Sequence, residues 1–574
     1  MPVSTFSPGP RFVALRAATS RHHLAEILGF TPKGLTAVLY HLPDQAKYLS
    51  FEIAKKNGGT RGILAPTPAL KLLQRRLSDL LYECLGDLDR SKPHLSKSSY
   101  GYAKETGIVQ NAKRHRAKRY VLNVDIENFF GAINFGRVRG YFISNAGFSL
   151  DPAIATVIAQ IACFENSLPQ GSPCSPIISN LIGRALDFRL ASLAKTHSST
   201  YTRYVDDITI STNSKEFPSA IASMDADGVW TAGDALVNQI VKSGFSLNIA
   251  KTRMHVRSAR QSVTGLTVNS KVNVRRDYAM RARACVRSVS VTGRYEIWPS
   301  REKVEAGEPF EKEQSLNRLE SILHHIYAVR DASDYRDLKK KKSDPTSFRK
   351  TYFDFLFLKS FIALQKPSII CEGKTDNIYI RSAMKSLNSS FPDLGDWNGS
   401  AFFPGVTFFR YSAKSLSVMG LGGGVGDISK LIREYRKVYQ RLAVKKPKFP
   451  VIIIVDNDAG GKDVFKAIKD MKGPTISIAD ATLWYKAFDN VYVVKTPQLS
   501  SSQESCIEQL FDAATLGEKV GGKSLDYSKD NDTTATYGKH IFAERVVRPK
   551  WEAINFAGFI PVLTAIREVI ADFK

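Results

Sequence analysis

Thr202 to Ser211 reads TRYVDDITIS, two short β-prone runs flanking the adjacent carboxylates Asp206 and Asp207. The pattern predicts a tight hairpin with acid at its tip. Neighbouring like charges repel, and holding them in a partly buried turn is costly unless a cation neutralises them. Mg²⁺ suits such a place because it takes oxygen ligands and shares its shell with substrate phosphates. A third carboxylate stands upstream, where VLNVDIENFF (Val121 to Phe130) is an apolar strand ending in Asp125. Between the acidic stretches, LPQGSPCSPIISN (Leu168 to Asn180) sets Gly and Pro in a rigid turn before an apolar run that starts a helix. A second set of acids lies far downstream. SIICEGKTD, Ser368 to Asp376, is a buried strand ending in Glu372 and Gly373, and FPVIIIVDNDAGGKDV is a longer apolar run ending in Asp456 and Asp458. These two acids, two apart on an extended segment, fall on one side of it.

Positioning two such sets takes more than one core. A chain of 574 residues is long enough for two or three domains, and 43% hydrophobic content is normal for folded globular ones. The formal net charge of +26 favours a polyanionic partner, with binding that weakens as salt rises. Six cysteines lie far apart without Cys-x-x-Cys or zinc-type spacing, as expected of thiols in a reducing compartment. The N-terminal stretch has no long apolar core, and no run approaches membrane-spanning length, so a cytoplasmic protein is expected. Upstream, Phe51 to Leu81 predicts a strand, a Gly-Gly turn, a second strand and a helix after Pro66. Gly101 to Tyr120 is dense in Lys, Arg and His, a surface able to track a phosphate backbone. From Arg275 to about residue 363 the pattern is helical and basic. DLKKKKSDPTS, Asp337 to Ser347, closes on an Asp-Pro break and is the best linker. Continuous apolar runs in the downstream half suit parallel strands covered on both faces. GLGGGVGD, Gly420 to Asp427, departs from strict dinucleotide-binding spacing and reads as a flexible strand-to-helix loop, with a nucleotide-binding glycine loop as the alternative.

The order of the Asp125 strand, the Gln-Gly turn and the Tyr-x-Asp-Asp hairpin resembles motifs A, B and C of reverse transcriptases. The resemblance implies fingers, palm with an antiparallel sheet, and helical thumb. It also implies two Mg²⁺ ions roughly 4 Å apart on Asp125, Asp206 and Asp207, activating a primer hydroxyl and stabilising pyrophosphate. Diverging side chains on an extended chain favour Asp206 over Asp207 as the direct ligand. Arg61 and Lys55 would hold the incoming triphosphate, and Gln170 and Gly171 would lie beside its base and sugar. Phe130 resembles the aromatic gate against a ribose 2′-OH, with core packing as the plain reading. Lys251, in a stretch resembling motif D, is either a general acid for pyrophosphate or a salt-bridging lysine. NAKRH (Asn111 to His115) and QSVTGLTVN (Gln261 to Asn269) resemble elements of retron reverse transcriptases. That places Asn111, His115, Val263, Thr264 and Gly265 as RNA-binding residues, with His115 as a basic-face residue in the plain reading.

EGKTD and DNDAGG resemble the TOPRIM domain, in particular that of OLD-type nucleases, with Glu508 and Lys539 further on. The resemblance implies one or two Mg²⁺ on Glu372, Asp456, Asp458 and Glu508 for phosphodiester hydrolysis, with Asp376 assisting. Lys539 either stabilises a developing phosphorane or sits on a basic helix. The expected architecture is α/β multidomain. Fingers and palm occupy 1–275, a thumb 276–340, a linker and connecting helix 341–364, and a parallel-sheet TOPRIM domain 365–574. The likeness implies synthesis of branched multicopy single-stranded DNA (msDNA) from the protein's own non-coding RNA, primed on a guanosine 2′-OH. It further implies dNTP substrates, anti-phage defence, a nucleic-acid substrate for the fused effector, and room for a homo-oligomer. The rival readings are a non-retron reverse transcriptase, a primase- or topoisomerase-like second half, and a second half that only docks nucleic acid.

Overall fold

The apolar strand read from Val121 runs Tyr120–Ile126 and forms the third member of a four-stranded antiparallel sheet. The spatial order is Thr200–Tyr204, Asp207–Thr212, Tyr120–Ile126 and Leu247–Val256. Apolar side chains of its central strands join helices Pro68–Ser91, Phe135–Ser144, Pro152–Ala162 and Ser175–Thr196 in one core. Helix starts follow local chemistry. Asn134 accepts from Arg137 N–H, Asp151 from Ala153 N–H, and Pro152 and Pro176 occupy first turns where their missing N–H costs nothing. The predicted hairpin is antiparallel, Tyr48–Ala54 against Thr60–Pro66, with the helix following from Pro68.

These elements come from a computed structural model that describes residues 8–54, 59–91, 98–296, 315–442, 446–499, 504–527 and 535–573. The chain is a multidomain α/β protein with two units, Met1–Arg275 and Arg276–Lys574. The helices at the expected thumb, Arg276–Thr292 and Leu316–Asp331, thus cluster with the second unit. The charged run expected as a linker is short helix Leu338–Ser343, capped by Asp337, with Lys341 paired to Asp331 at 2.9 Å. Helix Ser347–Phe357 follows, capped by Thr346 and burying Phe348, Tyr352, Phe355 and Phe357.

In the second unit a five-stranded sheet has the order Thr407–Phe408, Ser368–Cys371, Val451–Val455, Val491–Lys495, Trp484–Phe488. All neighbours are parallel except the last pair. Alternation along the strands builds two cores. Ile369, Cys371, Ile452, Ile454, Tyr492 and Val494 pack on one face, and Ile370, Ile453, Val455, Val491 and Val493 on the other. A strand buried on both faces has no polar side, which is why these runs read as continuously apolar. No described helix is long and apolar enough to cross a membrane.

Two candidate carboxylate sites

The TRYVDDITIS stretch makes a two-residue hairpin loop: Tyr204 pairs with Asp207, leaving Val205 and Asp206 at the tip. Val205 has φ +61°, a conformation unfavourable for a β-branched residue. It is held from beneath. Arg203, fully buried, donates Nη1 to the Val205 carbonyl at 2.9 Å. Its Nε and Nη2 grip both oxygens of Asp187 at 2.7 and 2.8 Å, and Tyr201 donates to the same carboxylate. Such a pair is bidentate and so directional, fixing the guanidinium under the turn. Gly101 passes so close that a Cβ there would lie 2.7 Å from Val205 N. Asn180 holds that loop by donating to the Gly101 carbonyl at 2.7 Å.

Strand register brings the upstream acid to this turn. Asp125 is the cross-strand partner of Asp207, and Ile126 N–H donates to the Asp206 carbonyl at 3.0 Å. On its other side, Asp125 opposes Asn248 while Asn123 opposes Arg253. The irregularity between them contains Lys251, whose Nζ reaches Asp125 Oδ1 at 2.8 Å. In this structure Lys251 is therefore a salt-bridging lysine, and that bond raises its pKa. Crowding by surrounding protein, then repulsion from Asp206 and Asp125, pushes Asp207 up to about 6. Burial and the Asp125 charge raise Asp206 too, while Lys251 and Arg61 oppose the rise. Arg61 thus stands within electrostatic reach of the hairpin tip. Lys55 lies outside the described residues.

Gln170 and Gly171 meet the Thr60–Pro66 strand: Leu64 N–H donates to the Gln170 carbonyl at 2.8 Å. Gly171 has φ +128°, and a Cβ there would fall 2.4 Å from the Leu64 carbonyl oxygen. We expect Gly171→Ala to separate the hairpin from this turn. Primer extension should fall at least tenfold, and stability by roughly 1–3 kcal/mol from backbone strain; unchanged extension and melting would contradict the contact. Phe130 is half-buried, between Phe129 (5.6 Å between ring centroids) and Tyr102 (6.4 Å). Tyr102, which the basic pattern around it concealed, shares the electrostatic surroundings of Asp206, Tyr204 and Arg61.

The residues expected to bind RNA divide. His115 is fully buried, its two ring nitrogens each 2.7 Å from a hydroxyl, Ser211 Oγ and Thr202 Oγ1. Burial first, then Lys118 and Arg114, lowers its pKa to about 3, so it is a neutral strut across the sheet and not part of a basic face. Asn111 and Val263 are also buried, which corrects their expected RNA-facing position. Thr264 and Gly265 form the positive-φ turn that tops the hairpin, and Thr264 Oγ1 donates to the Ile108 carbonyl at 3.4 Å. The two short elements therefore meet, with Gly265 exposed.

A family model described as "Reverse transcriptase (RNA-dependent DNA polymerase)" matches residues 53–269, the span that holds all of these groups. The Retron Mx65 reverse transcriptase of Myxococcus xanthus is 30% identical over 278 residues, covering 46% of this chain and 61% of that one. The Retron Ec86 reverse transcriptase of Escherichia coli is 28% identical over 280 residues, covering 49% of this chain and 81% of that one. The first unit contains a reverse-transcriptase domain related to those of retrons. The chain spans 61% of the Mx65 protein and 63% of Retron Mx162 reverse transcriptase, also from Myxococcus xanthus. Among solved structures, apo telomerase from Candida Tropicalis, truncated from its C-terminal domain, aligns at a TM-score of 0.28 and 14% identity. That alignment covers 43% of this chain and 61% of that one, a likeness too weak to bear on function.

Outside the reverse-transcriptase domain, the second acidic set gathers at the C-terminal ends of the parallel strands. Glu372 follows strand Ser368–Cys371, and Asp456 N–H donates to Glu372 Oε2 at 3.4 Å. Asp456 Oδ1 accepts from Ile507 N–H at 2.9 Å, and Asp458 Oδ1 from Gly461 N–H at 2.9 Å. Asp376 accepts from Gly373 N–H at 2.7 Å. Glu508 is fully buried; Lys539 reaches its Oε2 at 3.1 Å, while Oε1 has no partner among the described residues. Gly424 N–H donates to the Glu372 carbonyl at 2.9 Å, so the Gly-rich loop borders the cluster. Burial, then Asp458 and Asp376, pushes Glu372 up to about 7; burial, then Asp376, Glu372 and Glu508, pushes Asp456 up to about 8. Asn457, overlooked between its two acidic neighbours, donates to the Ile478 carbonyl at 3.0 Å and anchors that loop.

Among the described residues no three His, Cys, Asp or Glu side chains are arranged, as they stand, to hold a metal ion. This differs from the ligand sets expected at Asp125, Asp206 and Asp207 and at Glu372, Asp456 and Asp458. Here Asp125 is turned toward Lys251, and Asp456 and Asp458 toward backbone N–H groups. The chemistry of both sets still fits a hard dication: oxygen donors only, with crowding that raises the pKa values of Asp206, Asp207, Glu372 and Asp456, and one buried Glu508 oxygen without a partner among the described residues. At the second cluster the sign of the pH effect follows from the raised values. Stability these acids contribute when protonated is present below about pH 4 and is lost as pH rises through about 7 to 8. Without divalent ions, Asp456→Asn should raise the melting temperature by several degrees at pH 8.5 and little at pH 4. Equal shifts at both pH values would refute the raised Asp456.

Proposed function

We propose that the chain is a retron RNA-directed DNA polymerase fused to a TOPRIM-type, Mg²⁺-dependent nuclease that acts in anti-phage defence. The observation that carries the polymerase half is the register that sets Asp125 opposite Asp207, beside the Asp206 tip. Asp125, Asp206 and Asp207 would hold Mg²⁺, which when bound supplies charge stabilisation for attack of a primer hydroxyl on a dNTP and for the departing pyrophosphate. Arg61, with Lys55, pairs with the triphosphate. Gln170 and Gly171 border the nucleotide, and Phe130 crowds a ribose 2′-OH. Lys251 gives up Asp125 and protonates pyrophosphate. The Thr264–Gly265 turn offers the exposed part of an RNA contact that His115 and Asn111 support from inside. The template is the protein's own non-coding RNA, and the product is msDNA branched from a guanosine 2′-OH.

For residues 365–574 the support is five carboxylates and Lys539 converging at one end of a parallel sheet, the place where such sheets bind ligands. Glu372, Asp456, Asp458 and Glu508 would hold the cation of a phosphodiester hydrolysis, and Lys539 lies where it can meet developing negative charge. The alternative is a non-retron polymerase whose second half docks nucleic acid or acts as a primase or topoisomerase. Purifying the protein with its nucleic acid tests the reading directly. Ribonuclease and debranching enzyme, followed by sequencing, should yield one short DNA joined 2′–5′ to one RNA; linear or heterogeneous nucleic acid would overturn the retron assignment.

A further inference from the structure

A basic pocket lies in the second unit apart from its acidic cluster. Its walls come from helices Leu338–Ser343, Ser347–Phe357 and Val425–Leu442 and the Val418–Gly420 turn, and it encloses about 360 Å³. Arg349 lines it and is only 5% exposed. Its guanidinium donates Nη2 to the Ser417 carbonyl, and no carboxylate among the described residues pairs with it. The nearest acid of the wall is already taken: Arg441 holds Asp354 in a two-pronged pair at 2.7 and 2.8 Å. Lys342, Lys350, Lys430 and Lys437 add four more cations, against Glu434 alone.

A buried guanidinium without a counter-ion is destabilising unless something completes it. An anion with several oxygens is the matching group, because the planar fork takes phosphate through two parallel hydrogen bonds. The lining also has apolar members: Phe353, one helical turn from Arg349 on the same helix, with Val418 and Met419. A volume in the range of small-ligand sites, lined by cations beside apolar side chains, matches a phosphate joined to a flat base. We propose that this pocket binds a nucleoside phosphate, its phosphate on Arg349 and the lysines and its base against Phe353. The ligand is either a free nucleotide or the 5′-terminal nucleotide of a nucleic-acid chain. This site is independent of the nuclease reading and uses none of its residues.

The test is calorimetric titration of the full-length protein with ATP in the presence of EDTA. Without a divalent cation the two carboxylate clusters repel phosphate and do not compete. Saturable binding is expected, with affinity at least tenfold lower in Arg349→Met and in the surface double variant Lys430→Glu/Lys437→Glu. The double variant keeps the test valid if loss of the buried arginine impairs folding. Displacement of ATP by 5′-phosphorylated dT10 but not by 5′-hydroxyl dT10 assigns the pocket to a chain end; displacement by neither assigns it to free nucleotide. Absence of saturable binding, wild-type affinity in the double variant, or equal displacement by both oligonucleotides would overturn the proposal.

Discussion

Asp206→Ala/Asp207→Ala is expected to remove DNA synthesis, by at least 10³-fold in primer extension, while RNA binding should stay within about twofold of wild type. The acids lie at the tip of a two-residue loop and opposite Asp125, so on the proposed reading their loss leaves one carboxylate where a phosphate chain and cation would be held. A 10³-fold loss corresponds to about 4 kcal/mol of barrier, within what removal of metal-ion charge stabilisation costs. The fold has reason to survive. Both side chains are strained by crowding and mutual repulsion, and neither supports the turn, which rests on Arg203, Asp187 and Gly101. Extension at wild-type rate would remove the polymerase site from this hairpin. RNA binding lost in parallel would show a folding defect, which circular dichroism would expose.

If the second unit is the proposed nuclease, Glu372→Ala and Asp458→Ala should each abolish its cleavage and the growth arrest it causes, again by 10³-fold or more, while the msDNA of the proposed polymerase still accumulates. Glu372 ends one parallel strand, and Asp458 caps the turn that follows the next. Each is exposed enough to meet a substrate, unlike Glu508 and Asp376, which are buried. Loss of either carboxylate removes one of the proposed ligands without opening a core cavity. The decisive measurement is a paired assay, nucleic-acid cleavage by the purified protein and msDNA yield from the same cells. Wild-type cleavage in both variants would reject a catalytic role for the cluster and favour a docking module; loss of msDNA as well would mean the substitutions act on the whole chain.

The sequence determined where each acid stands along its own element. A strand that ends in a carboxylate, a hairpin with two residues at its tip and a helix beginning after Gly-Ser-Pro are short-range outcomes of period, turn chemistry and capping. The continuous apolar runs of Ser368–Cys371 and Val451–Val455 likewise announced strands covered on both faces. What those runs omit is partnership. That Arg203 is buried on Asp187, that His115 bridges two strands as a neutral ring, and that Arg349 lines a pocket with a carbonyl but no carboxylate among the described residues as its partner had no local signature. Each depends on which strands and helices become neighbours. The Lys251–Asp125 bond joins residues 126 apart and exists because a register irregularity curls one strand toward the other. Linear order specifies the residues of such a pair, but the distance between them is set by sheet register and core packing, which sum small preferences over the whole unit. That is why the acids and the elements that carry them could be read from the chain, while the bonding state of those carboxylates was decided only in three dimensions.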